Sequence, residues 1–476
     1  MKLTKISIAC AAALVSGQVL AHAPSVVPDE TLYISGASAQ DKALAALVTN
    51  LCVAGTLDTY KDGGVGKGYT SYYCTIDSAL VSGMSADKKV LINKRSAGGS
   101  GKGVQVVADS VPIEAMNINN GNCTETAAGS RVWNCDIAGG VGTNNLFMQV
   151  STAGISDVEP AMFTGLNVPP GDIAVTPAQI AKMDVTSMNA VIFGLPVTEA
   201  LYRALQIAQG LDSTSAAKDD EDQMPSLSSA QVTSLITGGI KKWDQLLVNG
   251  VPLTQVAGVT PPALDVFGPF SNPLVHYCRR VPGSGTQAQQ NAIFANAPCA
   301  DGVAQTVRAP GNPAAGPVVT EGAGSGDVDT CLTNEQAANK WAIGVQSLEK
   351  QQTSYRFVKI DGYAPTVKNV AENNYKDWVE TSMQWRNAAN NGPTGDVLAL
   401  VQTIAKDAST PATIASLNTA FVHGFGTGSF LALNTNGHTP SFPFDINNPV
   451  TTATHAVNGN PPNSCQFPVI NINSEL

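Results

Sequence analysis

Apolar residues recur along this chain in two alternating patterns. Thr31 to Ile34 reads as a short strand, and beyond it Leu44, Leu47, Val48 and Leu51 fall at i, i+3, i+4 and i+7, one face of a helix. Between them lies the small-residue loop Ser35-Gly36-Ala37-Ser38-Ala39-Gln40. Val90-Leu91-Ile92 opens a second unit that passes through Gly98-Gly99-Ser100-Gly101-Lys102-Gly103 into Val104–Ala108. Ala190 to Pro196 reads as a buried strand that ends at a crossover. The second half repeats the alternation. Ser226 or Ser228 can cap a helix bearing Val232, Leu235 and Ile236, which Gly238-Gly239 can stop. Val275 to Cys278 predicts a strand, about Gln287 to Asn296 a helix, and Trp341 to Val345 a strand returning to the first lobe. About 112–143, rich in Asn and Gly, reads as an inserted loop, and the chain from about Gly437 onward as coil wrapped over the surface.

The amino end has its own pattern. Lys2 and Lys5 precede an apolar run from Ile6 to Leu20 with a small-residue exit at Ala21 or Ala23, which reads as a cleavable secretory leader over 1–23. The run is shorter than the ~20 residues of a spanning helix, and Cys10 lies in the wrong context for a lipoprotein box. The expectation is a protein of the periplasm or the extracellular space with no membrane insertion.

Without Cys10, eight cysteines remain, with no C-x-x-C pair and no nearby histidines, which favours disulfides over a metal site. Eight allow 105 pairings. Proximity suggests Cys52/Cys74, Cys123/Cys135 and Cys278/Cys299, with a long tie Cys331/Cys465. His276, His423, His438 and His455 are scattered, and the acids from Asp219 to Asp222 lack the alternation of a calcium loop. No metal and no cofactor is expected.

Charge narrows the partners. The chain has 27 basic and 37 acidic residues, and two of the lysines belong to the leader, so the remainder carries about −12. Nucleic acid is not the expected partner. Charged residues are 13% of the chain, about half the usual ~25%. The length exceeds one compact core and calls for two or more lobes.

Three loops, around Ser38, Ser100 and Ser284, place hydroxyls and small residues where a strand hands over to a helix. Helix starts present unpaired N–H groups and the positive end of the dipole, which suits an oxyanion. Arg280 adds a planar, two-pronged donor. Asp157 adds a carboxylate that can accept a hydrogen bond only from a ligand that still carries a proton. Gly98–Gly103 does not have the spacing of a nucleotide P-loop, no serine sits in Gly-x-Ser-x-Gly, and no nucleophile adjoins a base, so enzyme chemistry is not expected.

Five segments occur in the order found in one family: Ser35–Ala39, Gly99–Val104, Gly154-Ile155-Ser156-Asp157, Ile240-Lys241-Lys242-Trp243-Asp244 and Arg279–Thr286. Together they resemble the periplasmic phosphate-binding proteins of ABC transporters, from Leu32 to about Trp378. The resemblance implies an α/β, type 2 periplasmic binding fold: two lobes, each a mixed sheet flanked by helices, joined by two hinge crossovers. Lobe 1 would comprise 24–195 and 343–476, and lobe 2 would comprise 196–342. By position, Arg280 would clamp phosphate, and Ser284, Gly285 and Thr286 would donate from a helix start. Ser100 would donate from the first lobe, Asp157 would accept the ligand's proton, and Ala39 with Gln40 would close the cage. Gln40 stands where the family usually has a threonine, and Pro282 where it often has an acid. The implied role is a phosphate receptor that serves an ABC-type membrane permease. A secreted surface or matrix protein reusing the fold for scavenging or adhesion is the alternative.

Overall fold

The computed structural model describes residues 24–63, 68–214, 220–300, 316–350, 354–456 and 461–470. The leader expected over 1–23 lies outside the described residues, as does Asp219 of the acidic run. Among the described residues no helix is long and apolar enough to cross a membrane.

The elements that position the site are β1 (Glu30–Gly36), α1 (Asp41–Leu51), β2 (Lys88–Arg95), β3 (Ala153–Ser156), the 16-residue β4 (Met183–Thr198), β5 (His276–Arg280), α2 (Gly285–Ala295), β6 (Val318–Gly322), α3 (Ser325–Ala337), β7 (Ala342–Gly344), β8 (Tyr355–Ile360), β9 (Trp378–Arg386) and α4 (Gly395–Asp407). They form a mixed α/β fold. Along the sheet the order is β6-β5-β7-β4-β9-β3-β1-β2, and strands 69–76, 58–62, 132–135 and 123–125 extend it at the β2 edge.

The strand β4 belongs to both lobes. Its first part pairs antiparallel with β9, from Met183↔Arg386 to Ile192↔Trp378. Its last residues pair with β8 (Leu195↔Val358 to Thr198↔Tyr355) and with β7 (Val197↔Ile343). Both faces of this strand are covered, so it reads as the near-continuous apolar run Ala190-Val191-Ile192-Phe193 rather than as an alternation. On one side of this crossing, β2, β1 and β3 run parallel. On the other, β5 runs parallel to β6 and β7. A second crossing is made by the chain between β8 and β9, where Tyr375 donates to the Phe193 carbonyl at 3.0 Å. The strand β7, expected to return to the first lobe, instead sits between β5 and the carboxyl end of β4.

Each lobe has its own core. Leu44, Leu47, Val48 and Leu51 of α1 pack with Ile34 of β1 and with Leu400 and Ile404 of α4. In the other lobe Trp243 is fully buried, donates to the Trp341 carbonyl at 2.9 Å and meets the Trp341 ring edge-on. The Ile240–Asp244 motif is therefore a core anchor. The helix Ser229–Ile236 begins at Ser228, whose hydroxyl accepts from the Gln231 amide while the Gln231 side chain accepts from the Ser228 amide.

Several expectations are corrected. The insertion at 112–143 is not a loop. Pro112–Met116 pairs with Leu146–Val150, and Val132–Cys135 continues the main sheet, with Trp133 stacked on Tyr60 at 5.6 Å. The tail is not a surface coil either, because Val450, Ala453, Thr454 and His455 are buried. Cys52–Cys74 and Cys123–Cys135 pair as proximity suggests, but the other four cysteines exchange partners: Cys278 bonds Cys331 and Cys299 bonds Cys465. Cys278 lies inside β5, and α3 returns across that sheet, which brings the Cys331 Cα to 5.9 Å. Cys299 lies beyond α2, where the tail passes. Sequence distance was the wrong ruler because parallel strands make neighbours of residues a whole crossover apart.

Candidate functional site

The parallel strands β2, β1 and β3 deliver their carboxyl ends to one place, the position where open α/β sheets bind ligands. These ends carry Ser96–Ser100, Ser38 and Asp157. From the other lobe the carboxyl end of β5 delivers Arg280, and five residues later α2 begins at Gly285. Three of these side chains are buried, Ser100 at 0%, Asp157 at 2% and Arg280 at 2% exposure, and Ser38 is half-buried.

Close packing requires glycine at two of these turns. Gly36 has φ +112°, and a Cβ there would lie 2.0 Å from the Ile155 carbonyl oxygen. The loop after β1 can therefore lie flat on β3 only with glycine. Gly285, the first residue of α2, sits against the opposite lobe. A Cβ there would meet Ser100 Oγ at 2.5 Å and Asp157 Cβ at 2.6 Å. The lobes also touch through the backbone, where Gly101 N–H donates to Gly283 O at 2.8 Å. The cleft is closed.

Inside it, Ser100 Oγ donates to Asp157 Oδ2 at 3.3 Å and accepts from the Asp157 amide at 3.1 Å. Asp157 Oδ1 is buried without a partner. Burial pushes this carboxyl up to about 6, against the opposing pull of Arg280 and of the Ser100 hydroxyl. Arg280 Nη2 donates to the Ala323 carbonyl at 2.8 Å and Nη1 to Ser38 Oγ at 3.5 Å, while Nε is buried and unpartnered. The Ala323 carbonyl does for this arginine what an acid at Pro282 would do. Arg279, its neighbour in the strand, faces the other way and pairs with Glu321 of β6.

Ser284 caps α2 by accepting from the Gln287 amide, and the helix thus begins at Gly285 rather than at Gln287. The N–H groups of Gly285 and Thr286 have no acceptor within the helix, as at any helix start. Ala39 and Thr286 are buried. The Gln40 side chain is directed to Asn189 of β4, at 3.4 Å.

Sequence reading missed the residues beneath the loops. Lys94, on β2, is buried and donates to the carbonyls of Gly36 and Ala37 at 2.9 and 3.1 Å and to Ser96 Oγ at 2.7 Å, and it pairs with Asp41 at 3.0 Å. Holding those two carbonyls pins the loop after β1, whose Ala37 amide donates to the Ile155 carbonyl at 2.8 Å. Its signal in the sequence was a lysine in register with the apolar Val90 and Ile92. Gln287 Oε1 accepts from the Arg280 amide at 3.2 Å. Lys42 of α1 donates to the Glu349 carbonyl at 2.6 Å, and burial pushes the Glu349 carboxyl up to about 7. The described residues contain no cluster of ligands fit for a metal.

No protein-family model matches the chain. No curated protein matches it either. Among solved structures the chain is similar to a protein assigned as a phosphate ABC transporter substrate-binding protein of Clostridium perfringens, solved with bound phosphate: 14% identity, 81% of this chain and 97% of that one, TM-score 0.41. It is similar to an ABC-type phosphate transport receptor of Vibrio cholerae, with 9% identity, 83% and 98% coverage and TM-score 0.40. A phosphate-binding protein of Stenotrophomonas maltophilia matches with 12% identity, 82% and 83% coverage and TM-score 0.34. By their own names these proteins bind or transport phosphate.

Proposed function

We propose that this protein is an exported, non-catalytic receptor that closes its two lobes over inorganic phosphate and serves an ABC-type permease. One observation carries the reading. An unpartnered donor, Arg280 Nε, and an unpartnered acceptor, Asp157 Oδ1, are both buried in the closed cleft beside the start of α2. A buried polar atom without a partner costs about 1–3 kcal/mol, more if charged. A ligand that satisfies both must offer acceptor oxygens to the arginine and a proton to the carboxylate. Hydrogen phosphate does both, and sulfate at neutral pH does only the first.

The residues then divide the work. Arg280 and the amides at the start of α2 hold the oxyanion, with the helix dipole adding a favourable field. Asp157 selects the ligand that still carries a proton and repels one that does not. Lys94 and Ala323 hold the loop and the arginine in place. Gly285 lets the second lobe come into contact with the first. Calorimetry of the purified protein against phosphate, arsenate and sulfate at pH 7.5 tests the proposal. Phosphate and arsenate are expected to bind one per chain and sulfate to give no heat. Absence of phosphate binding by correctly folded protein overturns it.

A further inference from the structure

A second cavity, of about 510 Å³, lies at the other end of α2. The amino end of this helix reaches the cleft through Gly285, and its carboxyl half, with Ile293 and Phe294, forms one wall of the cavity. Eleven residues of helix span ~16 Å, so an occupant of one site does not touch the other. Ile360 and Phe467 complete the apolar walls. The Cys299–Cys465 disulfide and the pairing of Val469–Ile470 with Ala453–Thr454 fix the tail at its edge. Ser464 donates through both its amide and its hydroxyl to Glu159, at 2.8 and 2.6 Å.

Two of the polar groups that line these walls are buried with unpartnered atoms. Asp377 is 2% exposed, and neither of its carboxylate oxygens has a partner. The Gln289 amide nearby donates to the Trp378 carbonyl at 3.1 Å, and its influence on Asp377 is smaller than that of burial. His455, also 2% exposed, lies against the Trp378 ring with centroids 4.5 Å apart, and its Nδ1 is unpartnered. Burial pushes Asp377 up to about 7 and His455 down to about 3, so the imidazole is neutral. Lys376 also lines the cavity, but its ammonium donates to the Asn373 carbonyl. Asp361, the other carboxylate on these walls, accepts from the amide and the hydroxyl of Ser229, and the described residues contain no cluster of ligands fit for a metal. Ligand pockets of ~300–1,000 Å³ are typically apolar with a few polar groups that fix orientation.

We propose that this cavity is a binding site for a small organic amine, whose ammonium pairs with Asp377 while its apolar body lies between Ile293, Phe294, Ile360 and Phe467. Nothing in this site depends on phosphate occupying the cleft. The test uses the full mature chain with 2-phenylethylamine and with 3-phenylpropionate, which has a similar shape and the opposite charge. Binding is read by calorimetry and by tryptophan emission, since Trp378 lies against His455 at the cavity. The amine is expected to bind and to perturb the emission, with the acid at least tenfold weaker. Asp377→Asn is expected to weaken the amine at least tenfold, and Ile293→Trp, which fills the wall and leaves the carboxylate, to abolish binding. Circular dichroism and thermal melting confirm that each variant is folded, independently of any phosphate binding. The proposal is overturned if the wild type ignores the amine, if the acid binds equally or better through Lys376, or if folded Asp377→Asn or Ile293→Trp binds the amine as the wild type does.

Discussion

Replacing Asp157 with asparagine should make the anion-free protein more stable and its cleft less selective. The carboxyl is buried, with Oδ1 unpartnered and Oδ2 held by Ser100 alone, and its folded value is pushed up to about 6. In an unfolded chain an aspartate titrates near ~3.9. Between these values the folded state binds more protons than the unfolded state, so stability falls as pH rises from about 4 through 6. Above that window the folded protein carries a penalty of roughly two pKa units at ~1.4 kcal/mol each, or about 3 kcal/mol as an upper bound. Asparagine has the same shape and no charge to bury. At pH 7.5 without anion, the variant should melt a few °C higher than the wild type, and the gap should close towards pH 4. In sulfate the variant should gain further stability and bind, because an amide can donate as well as accept. Thermal denaturation at pH 4.0, 5.5 and 7.5, with and without sulfate, reads all of this. A variant less stable than wild type at pH 7.5, or a gap independent of pH, would refute the reasoning that Asp157 is an uncompensated carboxylate facing the cleft.

Three other outcomes follow from the geometry. Arg280→Ala should weaken phosphate by about 2–5 kcal/mol, or roughly 30-fold to several thousand-fold by calorimetry, whereas Arg279→Ala, which loses only the Glu321 pair, should bind nearly as wild type. Gly285→Ala should leave the fold intact and lower phosphate affinity, since the added methyl would lie 2.5 Å from Ser100 Oγ when the lobes close; unchanged affinity would show that this contact does not accompany binding. Peptide mapping should recover Cys278–Cys331 and Cys299–Cys465, and the Cys299→Ser, Cys465→Ser double variant should lose up to about 5 kcal/mol in urea denaturation, from the entropy of a loop of 166 residues.

What the sequence made legible was local. Strand, small-residue loop and helix could be read around Ser38 and Ser284 because period and capping are set by near neighbours, and α1 buries the four apolar residues its spacing marks. The opposite facing of Arg279 and Arg280 follows from strand geometry alone. What escaped was set by distant parts of the chain. The partners of Cys278 and Cys299 depend on where α3 and the tail return. Gln40 points to Asn189 because β4 passes beside the start of α1. The insertion became sheet because Val132–Cys135 found an open edge beside Asp58–Asp62. Lys94 matters through two carbonyls, which leave no mark in a side-chain pattern.

The central claim is that one buried carboxylate chooses the anion by demanding a proton from it, and the ratio of phosphate to sulfate affinity as a function of pH measures that choice. Calorimetry of the wild-type protein at pH 7.5 should give phosphate binding and no sulfate binding. At pH 5, below the raised value of about 6, a protonated Asp157 becomes a donor, and sulfate should bind. Equal affinity for the two anions at pH 7.5, or a preference that does not change between pH 7.5 and pH 5, would contradict the account.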